Sequence, residues 1–149
     1  MEIQSLFLKL LESPEKDIIL LLATANTFRR VDKLEIIPLL IKTALQLNVN
    51  IRILADIDSL IEQILEKYGN NFDQINFHTL SKTNRPFIII LIIDESLSLV
   101  IDIKDDRQEI FKDSLGIGTF SNIESTIDTY ISLFEREWIQ TQLQGQNND

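Results

Sequence analysis

Hydrophobic and polar positions alternate in blocks that switch period along the chain. Ile3, Leu6, Phe7, Leu10 and Leu11 recur at helical spacing, so residues 2–13 are predicted to form an amphipathic helix. Pro14 ends it, because the residue before a proline is pushed out of the helical region. Residues 17–24 (DIILLLAT) are a continuous apolar run of the length expected for a strand covered on both faces. The polar stretch 25–33 (ANTFRRVDK) reads as a loop, and residues 34–48 return to helical spacing. Pro38 belongs in the first turn of that helix, which places its start after Leu34. Residues 50–55 (NIRILA) alternate and predict a second strand. A helix follows, capped by Asp58 or Ser59 and closed by Gly69 after Tyr68.

The second half changes character. Residues 74–80 (QINFHTL) predict a third strand; 86–94 and 97–104 predict an antiparallel pair turning at 94–96. A polar connection spans 105–113, and 115–120 (LGIGTF) form a short strand. Ser121 or Asn122 then caps a long last helix with Ile123, Ile127, Tyr130, Ile131, Phe134 and Trp138 on one face. Strand–helix alternation early and an antiparallel pair late predict an α/β fold, a mixed β-sheet of about six strands flanked by helices. Residues 1–143 are expected to form one domain, and 144–149 a polar disordered tail.

Composition narrows the function classes. The chain carries 14 basic and 23 acidic residues, a formal charge of −9, which works against a nucleic-acid partner and against docking on an anionic membrane. No cysteine is present, so disulfides, thiolate metal sites and cysteine nucleophiles are excluded. The longest apolar runs, 18–23 and 86–93, are far short of the ~20 residues of a membrane helix. The N-terminus lacks the basic, apolar and small-residue regions of a secretory signal, so a cytoplasmic location is expected.

Candidate chemistry is sparse. In open α/β sheets ligands collect beyond the carboxyl ends of strands, and the segment after the first strand holds Thr24, Asn26, Arg29 and Arg30. Paired arginines grip a carboxylate or phosphate, so these four are the candidate site for a small anionic ligand. His78 stands alone and reads as a strand histidine with an ordinary hydrogen bond. The acidic pairs Asp56/Asp58 and Asp105/Asp106 suit helix caps better than magnesium ligands. The glycines of LGIGTF lack the third glycine and the lysine of a nucleotide loop. No metal or cofactor is expected. Tyr130, Phe134 and Trp138 form a stripe that suits core or a partner surface, and are the candidate interface residues.

Three segments, DIILLLATANTFRR, SLSLVIDIKDD and GIGTFSNIESTIDTYISLFEREW, resemble the phospholipase-D-like sensor module that precedes the kinase core of archaeal histidine kinases. The resemblance covers roughly residues 1–143, and its most telling element is the last strand, the Ser-Asn turn and the helix with Phe134, Glu135 and Trp138. It implies a phospholipase-D-like fold. Catalytic members of that superfamily carry His-x-Lys-x4-Asp. Framed on Asp94, this chain has Phe87 at the histidine position and Ile89 at the lysine position, so only the aspartate matches. A phenyl ring is no nucleophile and an isoleucine holds no phosphate. Kinase chemistry is absent as well, since the only histidine falls in a predicted strand and no ATP-binding domain is present.

The resulting expectation is a non-catalytic signal-input domain of a histidine kinase or related archaeal signalling protein. It would take a small anionic ligand, pair as a homodimer, and act on a downstream signalling domain through its last helix. The chain is expected to be an excised domain or a stand-alone relative. Two alternatives stand beside it. One is a protein–protein interaction or dimerisation module; the other is a metal-dependent hydrolase working through aspartates such as Asp56 and Asp58.

Overall fold

The computed structural model describes residues 2–80 and 87–147, with side chains as far as Leu143. The order of elements is α1 (Ile3–Leu10), β1 (Asp17–Leu22), α2 (Ala25–Lys33), α3 (Ile36–Leu47), β2 (Asn50–Ala55), α4 (Ser59–Tyr68), a 3₁₀ segment (Gly69–Gln74) and β3 (Asn76–Thr79). The antiparallel half follows: β4 (Ile88–Ile93), β5 (Leu97–Ile103), α5 (Phe111–Ser114), β6 (Leu115–Ser121) and α6 (Glu124–Asn147). The six strands form one sheet in the order β3-β2-β1-β4-β5-β6. β1 runs parallel to β2 and β2 to β3, whereas β4, β5 and β6 are each antiparallel to the strand before them in that row.

The central strands explain their unbroken apolar runs. Ile18, Leu20 and Leu22 of β1 face a core with Phe7 and Leu11 of α1, Phe28 and Val31 of α2, and Ile37 and Leu40 of α3. Ile19 and Leu21 face the opposite side, where Ile127, Phe134 and Trp138 of α6 close a second core over Leu54, Ile90 and Ile92. The sheet is thus a middle layer, with five helices on one face and α6 on the other.

The hairpin between β4 and β5 places both Asp94 and Glu95 at φ 54°, and the Ser96 N–H closes the turn on the Ile93 carbonyl at 3.0 Å. A left-handed pair matches the twist of the flanking strands. Gly118 is closely packed: a Cβ there would lie 3.2 Å from the Ile3 side chain, which would have to shift to admit it. Gly116 sits where β6 slips against β5, and a Cβ would approach the Asp102 carbonyl to 3.3 Å.

Two sequence expectations need correction. Residues 25–33 are helical rather than a loop. Thr24 caps that helix by accepting the Thr27 N–H at 3.0 Å, and Phe28 and Val31 anchor it in the core. Its three apolar residues, Ala25, Phe28 and Val31, are diluted by six polar ones, so the segment carries no strong apolar stripe. Residues 144–147 of the expected tail continue α6, and 148–149 lie outside the described residues. Pro86, expected to begin β4, lies outside them too. No helix among the described residues is long and apolar enough to cross a membrane.

Candidate functional site

The C-terminal end of β1 delivers Thr24, and the first two turns of α2 deliver Asn26, Thr27, Arg29 and Arg30. Thr24, Asn26 and Arg30 reach the connection between β5 and α5, with Thr27 bridging Thr24 and Arg30. Asp106 is the hub of that connection. Arg30 Nη2 donates to Asp106 Oδ1 at 2.8 Å and to Thr27 Oγ1 at 2.9 Å. Arg30 Nη1 donates to the carbonyls of Asp106 and Gln108 at 3.1 and 2.9 Å. Thr24 Oγ1 spends its proton on Asp106 Oδ1 at 2.7 Å, so the 2.7 Å contact between Thr24 and Thr27 is donated by Thr27. Asn26 Nδ2 completes the ring with the Asp106 carbonyl at 2.9 Å.

Arg30 is 3% exposed, and all four of its terminal N–H groups are engaged. It is a strut tying α2 to the β5–α5 connection; the one donor left without a partner, Nε–H, is itself buried away from the surface. Arg29 differs. Its Nη1 meets Asp58 Oδ2 at 2.5 Å, and its Nη2 donates to Asn26 Oδ1. Asp58 also caps α4, where Oδ1 accepts the N–H groups of Leu60 and Ile61, both at 3.1 Å. The hydrogen bond from Arg29, helped by these two N–H groups, holds the Asp58 carboxyl below the ordinary aspartate range. Arg29 therefore bridges the start of α2 to the start of α4.

Between these elements lies an open cleft of about 270 Å³, lined by Asn26, Arg29, Arg30, Lys33, Asp106, Arg107, Gln108 and Glu109. Lys33 is exposed and makes no ion pair among the described residues. Arg107 is exposed and holds only Asp105, at 3.0 Å. The cleft therefore presents three cationic groups at its surface, Arg29, Lys33 and Arg107, above a rigid polar floor. Of the four residues singled out from the sequence, the structure brings all together: Asn26, Arg29 and Arg30 line the cleft, and Thr24 is buried behind it, bonded to Asp106. Asp106, Lys33 and Arg107 were missed as members of the same site. Asp106 drew notice only as half of an acidic pair, and nothing in its local sequence points to a partner 76 residues away.

The opposite face of the sheet holds the candidate interface residues. Phe134 is fully buried and Trp138 is 9% exposed, so both belong to the chain's own core; Tyr130 is half-buried beside them. The His78 ring stacks on Trp138 at 3.8 Å between centroids and 7° between planes. Thr141 Oγ1 donates to the Trp138 carbonyl at 2.6 Å, so the 2.7 Å bond between Thr141 and His78 is donated by Nδ1 of the imidazole. Burial depresses the His78 pKa. Arg52 lies 5.2 Å above the Phe134 ring and pairs with Glu135 at 2.5 Å. β2 and β3 thus grip α6 through Arg52 and His78.

The positions framed on Asp94 are equally defined. Phe87 is 55% exposed and Ile89 is fully buried under the α1–α5 layer. The Asp94 carboxylate accepts the N–H groups of Glu15 at 2.9 Å, Lys16 at 2.7 Å and Asp17 at 3.0 Å. Burial alone would raise its pKa, but those three donors outweigh it and hold the group below the usual range.

A mixed six-stranded sheet in this order, flanked by helices on both faces, is the phospholipase D fold. The phospholipase D family member Nuc from Salmonella typhimurium superposes with a TM-score of 0.69 at 15% identity, over 92% of this chain and 87% of that one. The archaeal chromatin protein TrmBL2, described as showing a novel mode of DNA binding, superposes with a TM-score of 0.65 at 14% identity. That match covers 93% of this chain and 49% of the other, so this fold unit spans about half of TrmBL2. The sequence matches no protein-family model and no curated protein.

Proposed function

We propose that this chain is a non-catalytic ligand-binding module that uses a phospholipase-D-like scaffold for signal input, in the manner of the sensor domain of a histidine kinase. The observation that carries the reading is the cleft beside α2, where Arg29, Lys33 and Arg107 surround a floor fixed by Asp106. A small anion of carboxylate or phosphate type suits such a site, because charge-assisted hydrogen bonds from cations on a prebuilt floor require little reorganisation. The absence of histidine and lysine at residues 87 and 89 supports a binding role over phosphodiester cleavage. The charge of −9 places direct contact with nucleic acid outside this reading, whatever the likeness to a DNA-binding protein.

The test is a thermal-shift screen with inorganic phosphate, citrate and sugar phosphates. A ligand at ~100 times its dissociation constant adds about 2.7 kcal/mol of stability. The shift should vanish in the double variant Lys33→Gln/Arg107→Gln, whose side chains are exposed and whose loss leaves the floor intact. A flat screen, or a shift unchanged by the double variant, defeats the proposal.

A further inference from the structure

We infer that the free edge of β6 is a self-association surface, on which a second copy of this chain pairs antiparallel with its own β6 about a two-fold axis. Among the described residues β6 pairs with β5 alone, and its outer edge meets no strand. Soluble proteins guard such an edge by keeping it short, by placing charges or proline on it, or by bulging it away. The opposite edge of this sheet follows that rule: β3 is four residues long, and its His78 lies under Trp138. β6 is seven residues long and has neither charge nor proline. Its irregularity is confined to the start, between the partners of Ile101 and Ile103, so Gly118–Ser121 run in regular register.

Two apolar side chains of this edge, Ile117 and Phe120, are exposed, one on each face of the sheet. Ile117 is 73% exposed, Phe120 46%, and Ile123, just beyond the strand, 60%. Phe120 opposes Leu99, which faces the α1–α5 layer, while Thr119 opposes Val100, which faces α6. An added strand would therefore find apolar contacts above and below the backbone ladder.

Charge selects the occupant. The chain is 25% charged and carries −9, so two copies repel across most of their surfaces. Residues 114–123 (SLGIGTFSNI) contain no ionisable side chain. This is where two like-charged copies approach without juxtaposing acids, and a strand paired with itself is complementary by construction. A pairing of this kind is isologous and closes at two copies. Because the opposing force is long-range repulsion, added salt should strengthen the dimer.

Sedimentation equilibrium over a range of protein concentrations, at low and moderate salt, tests the assignment. Wild type should rise from 17.2 kDa to twice that mass and no further, with a lower dissociation constant at moderate salt. Ile117→Lys and Thr119→Pro should each stay at 17.2 kDa, while Ile139→Lys, an exposed change on α6, should dimerise like wild type. Hydrogen exchange of the unmodified chain gives a readout independent of folding in the variants: amides within 117–121 should gain protection as concentration rises. A monomer at all concentrations would overturn the inference. So would growth beyond two copies, concentration-dependent protection confined to other segments, or a dimer lost in Ile139→Lys but kept in both β6 variants.

Discussion

Replacing Arg30 with Met separates its role as a strut from a role in gripping ligand. The substitution keeps a long apolar stem but deletes five N–H donors, four of them hydrogen-bonded. Asp106 loses its cation, the carbonyls of Asp106 and Gln108 lose a shared donor, and Thr27 Oγ1 loses the group that donates to it. Breaking a buried ion pair by removing one partner costs about 3–5 kcal/mol, because the charge left behind is uncompensated. The Asp106 side chain is 22% exposed, so water reaches it in part and the lower end, about 3 kcal/mol, is expected. For a chain of this size that is a fall in melting temperature of roughly 6–12 °C. Urea unfolding of Arg30→Met, Asp106→Leu and the double variant closes the cycle. The double variant should regain stability relative to Arg30→Met, with a coupling of about 2 kcal/mol between neighbours of this kind. Arg107→Gln, which removes a pair whose arginine is 91% exposed, should leave the midpoint where it is. A loss below about 1 kcal/mol for Arg30→Met, or strict additivity in the double variant, would refute the strut and return Arg30 to the pool of ligand-binding cations.

Other outcomes follow from the same geometry. Because the folded His78 pKa lies below its ordinary 6.5, the folded state disfavours the proton: its contribution is intact above pH 6.5 and is lost as pH falls through the depressed value. Stability measured against pH should therefore slope downward on acidification below about pH 6.5, and His78→Phe, which keeps a ring on Trp138, should flatten that slope. Asp94→Ala should cost about 1–3 kcal/mol by urea unfolding, since three backbone N–H groups lose their acceptor; a neutral result would show that water replaces it freely. Restoring the phospholipase D pattern piecemeal should fail at one position only. Phe87→His is tolerated on the surface, whereas Ile89→Lys buries an ammonium in the apolar core and should leave the chain unfolded or insoluble by circular dichroism.

What the sequence reveals tracks how local each cause is. β1, β2 and the β4–β5 hairpin are legible because continuous apolar runs and turn residues are written in consecutive positions, and Asp58 and Gly69 mark α4 at both ends. α2 is hidden because it is held by a cap, two apolar contacts and the Arg30 strut rather than by an apolar stripe. The cleft is half legible for a related reason. Its α2 wall lies beside a strand end, where sites are expected, but its other wall comes from a connection that approaches only when β5 folds back against β4. Trp138 and Phe134 stand at the predicted helical spacing, but spacing cannot tell whether the stripe meets a partner or the chain's own sheet; here it meets the sheet.

The cleft and α6 lie on opposite faces of the sheet, so a ligand can influence α6 only through an element that touches both regions. Arg29 supplies the first link, since it forms the cleft wall and holds Asp58 at the N-terminus of α4. α4 leads through the 3₁₀ segment into β3, the edge strand bonded on one side only. β3 carries His78, which stacks on Trp138 and bonds to Thr141 of α6. On the proposed reading, an anion that draws Arg29 away from Asp58 would release the bridge between α2 and α4, and the movement would reach β3 before it reaches α6. Coupling of this kind requires different affinities for the two arrangements, so the strength of the Arg29–Asp58 pair sets its upper limit. Asp58→Asn should tighten anion binding by freeing Arg29, while keeping much of the α4 cap. Trp138 is the only tryptophan, and its fluorescence should report ligand in the wild type and respond less in Asp58→Asn. A Trp138 signal that changes equally in both proteins would show that the cleft reaches α6 by another path.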